Sequence, residues 1–563
     1  MYETMPWLKH YGAVPQSIAY PHKTMYEMVR DAATEHPQKT AYEFLGTRST
    51  YAQLLADIDR TAEALAARGL AKSDAVTICL PNCPQAVIVF YAVNKLGAIG
   101  NMIHPLSAPT EIAFYLRESG SVWAVTLDAF YRSFAPVLDG SRVRSVLVTS
   151  IGDALSPLKR LAFFVKSGRK IAKPPKTDAR IVWWKELDAE RREPSHGRTP
   201  LDPDECAVIL YSGGTTGTPK GIMLSSMNFN CLGMQIAVQG PMVPGDAILS
   251  ILPVFHGFGL GVCVHAFLIG GGTCVLVPRF TSESVARLVK KMRPQYLAGV
   301  PTLYEALLRD KTMNRIDLSC LKSAYAGGDK LPQGIKERFD RLIASRGGSA
   351  ELLEGYGLTE SVTACIATPK GDYRPGSIGI PISDMTAKVV APGTTDETPP
   401  GADGELCVAG PTVMLGYLNS PEATAQTIRI HPDGRRWLHT GDICSMDDDG
   451  FVYFRLRMKR IIKVSGVSVS PVAVEEVLDR HPDVSMSCVV GIPDPYKMQA
   501  LKAFIVLKDP GKACPEKERE IIEHCRKHLI RWSVPERVEF RESLPMTRIG
   551  KVAFSELEKE GGG

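Results

Sequence analysis

Between Tyr211 and Gly221 the chain reads Tyr-Ser-Gly-Gly-Thr-Thr-Gly-Thr-Pro-Lys-Gly. Glycines let backbone N–H groups approach phosphate oxygens, hydroxyls donate hydrogen bonds to them, and a lysine adds a cation. Ser212, Gly213, Gly214, Thr215, Thr216, Gly217, Thr218 and Lys220 are therefore candidate phosphate-binding residues. The Walker A pattern is excluded, because Pro219 precedes the lysine and no Ser or Thr follows it. An apolar run, Cys206 to Leu210, leads into the loop, and Ile222-Met-Leu-Ser225 after it reads as a strand. As a purely structural turn, three threonines and a serine crowded with glycine are an odd choice. His524 and His528, one helical turn apart, have zinc-like spacing, but neither an H-E-x-x-H arrangement nor a third ligand accompanies them. They read as part of a solvated basic face.

Such a loop needs strands to present it, and the chain supplies them in alternation with helices. Leu54, Ile58, Ala62 and Leu65 fall on one helical face, followed by the buried-strand run Ala75 to Leu80 and a Pro-Asn turn. The rhythm recurs at Ser284 to Met292 and Tyr296 to Val300, which is α/β layering. At 563 residues, two or more domains are expected. An apolar share of 44% and a charged share of 23% exclude wholesale disorder. The excess of 66 Lys+Arg over 61 Asp+Glu is only +5, no nucleic-acid footprint. Thirteen cysteines without short paired spacings read as reduced thiols in a cytosolic protein. The first residues, with Glu3 among them, hold no apolar core of signal-peptide length. From Gly257 to Val277 the run carries no Asp, Glu, Lys or Arg, yet Gly270-Gly271-Gly272 interrupts it. It reads as a buried helix, a glycine turn and a buried strand, not a membrane span.

The texture shifts to short strands and turns from about Lys388, and a basic stretch from Arg455 to Lys463 leads into a compact α+β pattern. The expected architecture is α/β: a large layered domain over residues 1–457 and a small mobile C-terminal domain over 458–563. The large domain includes a basic insertion at 156–197 and a β-rich part at 388–455. Between Ser156 and Lys176 stand seven basic residues and no acid, with Leu158, Leu161, Ala162 and Val165 at helical spacing beside Phe163 and Phe164. Such a helix either lies on an anionic membrane surface or packs its apolar face on the domain beneath.

The 211–221 loop resembles the phosphate-binding signature of the adenylate-forming superfamily of acyl-CoA synthetases, adenylation domains and beetle luciferases. Further motifs follow in order: Pro253-Val-Phe-His-Gly-Phe-Gly259, Gly355-Tyr-Gly-Leu-Thr-Glu360, Leu438-His-Thr-Gly-Asp442, Arg457 to Gly466, and Arg548-Ile-Gly-Lys551. The chain is most similar to the bacterial long-chain fatty acyl-CoA synthetases, on Leu353 to Glu360, Gly410 to Tyr417 and the insertion before Trp183. The resemblance implies ATP, Mg²⁺ and coenzyme A as cofactors. It places Glu360 on the metal, Thr359 on a phosphate oxygen, and Tyr356 against adenine. It adds Gly327, Gly328, Gly355 and Gly357 to the nucleotide site, Asp442 on the ribose hydroxyls, and Arg457 near the ribose or phosphate. Lys551 bridges the attacking carboxylate and the α-phosphate, and His256 gates the acyl carbonyl. Lys459 is the hinge, with Lys463 and Gly466 serving the thioester step, and Gly257, Phe258, Leu260 and Gly261 line the acyl pocket.

The implied activity is an ATP-dependent ligase joining a medium- to long-chain fatty acid to CoA through an acyl-adenylate. No Asp or Glu stands between Ile251 and Val277 to pair with an amino acid's ammonium group, and Gly257, Gly259 and Gly261 are read as leaving room for an apolar channel. An acyl-AMP ligase, or an aryl or other acid ligase loading a carrier-protein thiol, is the alternative. It is motivated by Leu456, Met498 and Gln499, which, like Ala473, depart from the family pattern. A cytoplasmic location, peripheral contact with the inner membrane face and a homodimer complete the expectations.

Overall fold

The structure is a computed structural model. It describes residues 5–166, 168–171, 174–175, 178–189, 200–212, 219–457, 462–464, 467–469, 471–494, 498–547 and 551–561. Four sheets organise the described residues. In the nine-stranded sheet, six strands run parallel in the order Leu352–Tyr356, Ser323–Gly327, Tyr296–Gly299, Ala247–Ser250, Thr273–Leu276 and Thr40–Phe44, with antiparallel strands at both edges. The eight-stranded sheet is parallel through Cys206–Ser212, Ile99–Met102, Ala75–Cys79, Trp123–Leu127, Ser145–Thr149 and Ile181–Trp183. Both sheets feed one apolar core. The helix Pro84–Lys95 lies in that core and is buried from Pro84 to Asn94, which is why it is apolar on every side.

The uncharged run resolves into a helical segment, a glycine turn and the strand Thr273–Leu276, as its sequence suggests. The helix is not α, however: Phe258–Ala266 is a π-helix. Nine almost wholly apolar residues leave no polar face to mark the period. Buried His265 holds the wide coil, with Nδ1 3.0 Å from the Tyr91 hydroxyl and Nε2 2.9 Å from Asn230 Oδ1. No helix of the described residues is long and apolar enough to cross a membrane.

A β-rich unit follows, in which Thr386–Val390, Gly404–Ala409, Arg436–Met446 and Ile428–Ile430 are neighbours and Val452–Arg457 pairs with the long strand. The last sheet, from Ile462 onward, has cores on both faces. Val489, Leu501, Ala503 and Ile505 face the helices Pro471–Asp479 and Pro515–His528, whereas Val490, Phe504 and Val506 face Phe554–Gly561. That alternation is the period of two that a sheet covered on both sides demands. His524 turns Nε2 to the Val477 carbonyl at 3.1 Å, and exposed His528 turns Nδ1 to the His524 carbonyl at 2.8 Å. The His524 ring also packs edge-on against His481, with 5.2 Å between centroids.

Asn82, buried in the Pro-Asn turn of the second sheet, ties the two sheets together where it matters for the site. Its amide donates to the Ser250 and Leu252 carbonyls at 2.8 and 2.9 Å and its oxygen accepts from Val254 N at 3.0 Å. Asn82→Ala leaves the Leu252 carbonyl and Val254 N unpaired, at about 1–3 kcal/mol for each that water cannot reach, while the Ser250 carbonyl keeps its bond from Val277 N at 3.1 Å. The expected outcome is a lower urea midpoint, read by circular dichroism, with greater loss than for an exposed Asn→Ala change.

Candidate active site

The strands of both parallel sheets deliver their carboxyl ends to one region, the usual place for a ligand in such folds. Ser212 ends its strand in register with Lys220. Gly213 to Thr218 lie outside the described residues. The Lys220 ammonium sits over the Tyr417 ring, 4.7 Å from its centroid, and the Tyr417 hydroxyl donates to Glu360 Oε1 at 2.8 Å. One aromatic side chain thus holds the loop lysine and the motif glutamate together.

Gly327 and Gly355 are register partners at adjacent strand ends, and the Phe258 ring covers Gly327. Thr359 and Glu360 follow in a single helical turn. Val362 next to it has φ 62° and ψ −56°, and Thr363 N donates to the Ser361 carbonyl at 2.7 Å. This is a γ-turn of the strained kind, on a β-branched residue that rarely accepts positive φ. It turns the Val362 carbonyl onto Gly257 and the Thr363 carbonyl onto Gly357, and a Cβ on either glycine would overlap that oxygen. Gly259 meets the Pro253 carbonyl in the same way, and a Cβ on Gly261 would stand 2.8 Å from Leu232. The expectation that Gly257, Gly259 and Gly261 leave room for a channel therefore needs correction. Their missing side chains are filled by neighbouring backbone and by Leu232, and they serve close packing of the π-helix. Leu260 is likewise buried in the core.

Asp442 is fully buried. Its Oδ2 accepts from the Tyr356 hydroxyl at 2.7 Å, and the Arg457 guanidinium grips both oxygens, at 2.7 and 3.1 Å. A carboxylate has about four acceptor positions and three are taken, so seating two ribose hydroxyls requires half-exposed Arg457 to release one arm. Behind it, Glu405 Oε1 accepts from Gly441 N at 3.1 Å and fixes the turn.

Lys551 reaches this cleft from the small sheet's side. Its Cε lies 3.5 Å from where a Cβ on Gly328 would stand, and Gly328 has the positive φ of +85° that suits glycine alone. Burial holds the ammonium pKa below its ordinary 10.5, while Asp329, Asp442 and Glu360 pull it up and Arg457 pushes it down. Lys330 pairs with Glu476, and Arg309 Nη2 donates to Ser485 Oγ at 2.8 Å, so the two parts are also tied beside the cleft. Burial, with a smaller push from Lys551, drives the His256 pKa down to about 3. Phe258 N donates to His256 Nδ1 at 3.2 Å, which puts the ring proton on Nε2. Lys463 lies in the strand Ile462–Val464, paired with Val467–Val469. Lys459 and Gly466 lie outside the described residues. Tyr417 and Asp329, which sequence reasoning missed as site residues, carry no local signal, since each acts on a partner brought in by the fold.

Residues 29–418 match the AMP-binding enzyme family and residues 473–551 match the AMP-binding enzyme C-terminal domain. The chain belongs to the AMP-binding enzyme family. A long-chain-fatty-acid–CoA ligase of Bacillus subtilis (strain 168) is 34% identical to it, over 100% of this chain and 99% of that one. Another long-chain-fatty-acid–CoA ligase, of Salmonella typhimurium (strain LT2), is also 34% identical, over 99% of this chain and 98% of its own. ATP-bound MatB from Rhodopseudomonas palustris shares the fold with a TM-score of 0.81 at 25% identity, over 95% of this chain and 98% of that structure. Within its family the chain is an AMP-forming acid–thiol ligase.

His256 is expected to stay neutral across the working range, because its folded pKa lies far below the ordinary 6.5. Its ring resonances, assigned by comparison with His256→Gln, should not move between about pH 5 and 8. A midpoint near pH 6.5 would show the ring in water and not in the cleft.

Proposed function

We propose that this chain activates a medium- to long-chain fatty acid with ATP and transfers it to coenzyme A. The observation that carries the reading is Lys551 lying against Gly328, in one cleft with Glu360, Asp442 and Arg457. A carboxylate attacking an anionic phosphate needs positive charge and positioning above all. The Lys551 ammonium is a compact charge able to donate to the substrate carboxylate and an α-phosphate oxygen together. His256, neutral and protonated on Nε2, donates to the same carboxylate. Tyr356 offers its face to adenine, Asp442 takes the ribose, and the 212–220 loop with Thr359 holds the phosphates. Glu360 keeps one oxygen beyond its bond to Tyr417, a hard donor that suits Mg²⁺, which supplies neutralisation of phosphate charge. The uncharged wall beyond His256 and the full-length likeness to long-chain ligases support a fatty acid as substrate. A screen of acids by chain length, scored by AMP formation with and without free CoA, tests both substrate and acceptor. AMP without soluble acyl-CoA would favour transfer to a carrier-protein thiol.

The second half-reaction brings a thiol to the carbonyl from the side that Lys551 covers. We place the moving unit at 458–563, turning about Lys459, with Lys463 and Gly466 presented after the turn. Adenylation and thioester formation then use different faces of the small domain. Lys551→Ala should lower acyl-AMP formation by about two to four orders of magnitude. Thioester formation from supplied acyl-AMP should persist, measured as acyl-CoA by chromatography. Equal loss of both steps would assign Lys551 to the fold.

The basic insertion is assigned to an anionic lipid surface. In the helix Pro157–Lys166, Phe163 packs inward, whereas Leu158 and Leu161 are 82% and 63% exposed and Phe164 and Val165 stand beside them. Arg160 Nε is bonded to the Gly152 carbonyl at 2.9 Å, so the helix is held with that face outward. Each cation near such a surface adds about 1 kcal/mol at most, and salt removes it. The chain should sediment with anionic vesicles at low salt. Gln at Lys166, Arg169 and Lys170 should release it, with activity on detergent-dispersed acid kept. Failure of the wild-type chain to bind would leave the exposed face to a second copy of the chain.

A further inference from the structure

Away from the cleft, the β-rich unit gathers a second set of chemically capable side chains. Cys407 and His439 are direct partners across the antiparallel ladder of Gly404–Ala409 and Arg436–Met446. His431 follows the strand Ile428–Ile430, and the turn that Gly434 N closes on the His431 carbonyl at 2.9 Å folds it back over them. All three are buried, and one ligand atom from each lies within 4.8 Å of the other two. The imidazoles face each other through their Nε2 atoms at 2.9 Å. His439 gives its Nδ1 to Glu405 Oε2 at 2.9 Å, and His431 Nδ1 is buried without a partner.

A thiol and two imidazoles closed off from water are a donor set for a metal of the zinc type. A carboxylate on the far nitrogen of one histidine is the usual outer partner of such a ligand, fixing its tautomer and turning its lone pair inward. We propose that Cys407, His431 and His439 bind a thiophilic divalent metal ion, zinc foremost, with Glu405 orienting His439. Three protein donors fill three of the four tetrahedral positions, and an exogenous ligand takes the fourth. On a tetrahedral zinc with bonds of about 2.0 Å the two nitrogens stand about 3.3 Å apart, so the rings open by only a few tenths of an ångström on binding. The thiol gives up its proton to solvent as the metal–sulfur bond forms. The nearby Lys388 ammonium opposes a cation, but it is engaged by the Trp437 face at 4.3 Å and by Glu397 and Asp433 at 3.4 and 3.6 Å. Because Glu405 also holds Gly441 N, the metal would stiffen the turn that carries Asp442.

The full chain, purified from zinc-supplemented cells and dialysed without ATP or Mg²⁺, should retain one zinc per chain by mass spectrometry of the metal. Cobalt exchanged into it should show a thiolate charge-transfer band that Cys407→Ser abolishes. Glu405→Gln should weaken zinc binding about 10–100-fold. Chelation should lower the melting temperature, and zinc should restore it. Where a variant fails to fold, the cobalt titration of the wild-type chain decides alone. Absence of retained zinc together with absence of the cobalt band overturns the proposal and leaves a plain hydrogen bond between the two rings. So does a band that survives in Cys407→Ser, which would place the metal on another cysteine.

Discussion

The Lys551 ammonium stands in a cleft built by a sheet to which its own segment does not belong. Everything around it serves to make that position tenable. Burial and the Arg457 guanidinium oppose the charge, and the compensation comes from Asp329, Asp442 and Glu360, each carried by a different segment. None is the single counter-ion. The ammonium is thus balanced by several carboxylates and not by one dedicated partner. The ties across the boundary include the ion pair from Lys330 to Glu476 and the buried Ser485 hydroxyl, which accepts from Arg309 and donates to Glu305 at 3.1 Å.

The large domain makes the opposite choice and is packed backbone on backbone. The γ-turn at Val362 drives two carbonyls into the places where Gly257 and Gly357 lack side chains. The turn is strained, and the core around fully buried Val362 over-determines it. Its effect is to lock the segment bearing Glu360 against the segment bearing His256. Tyr417 then adds the loop lysine to the same assembly. Close packing is thus concentrated where Glu360, His256 and Lys220 are held together.

The parts of this site legible in the sequence are those whose chemistry is written in consecutive residues. The 211–221 loop is readable from its composition and order, whereas the 355–360 and 438–442 runs are read only through their resemblance to family motifs. Leu54 to Leu65 and Ala75 to Cys79 were legible because amphipathic and wholly apolar runs carry their period openly. The π-helix was not, since an unbroken apolar stretch fits any helical period. Val362 was illegible because its residue type argues against the conformation that the fold imposes. Tyr417 and Glu360 stand 57 residues apart and are brought together by the pairing of Tyr417 with Ile222 and by Met414 N donating to the Glu360 carbonyl at 2.8 Å. The glycines at 257, 259 and 261 were noticed correctly but interpreted in the wrong direction. A missing side chain marks close approach as readily as open space, and only coordinates distinguish the two.

The acid–base balance of the molecule has the same division. His256 and His265 are both held near 3 by burial, against an ordinary 6.5. Unfolding lets them take protons, so their contribution to stability is lost as pH falls below about 6.5. Glu354 and Asp479 are raised by burial to about 7, from ordinary values of 4.5 and 3.8. The folded chain holds protons there that the unfolded chain releases, so their contribution grows as pH falls from about 7 toward 4 and is lost as it rises. The two sets oppose each other across the mildly acid range and flatten the dependence of stability on pH. They are not placed alike. The histidines lie in the large domain, while Glu354 and Asp479 lie on either side of the boundary and both feel the Lys330 charge. Lys330, the cation that both carboxyl groups feel, is also the one that pairs with Glu476 across the boundary.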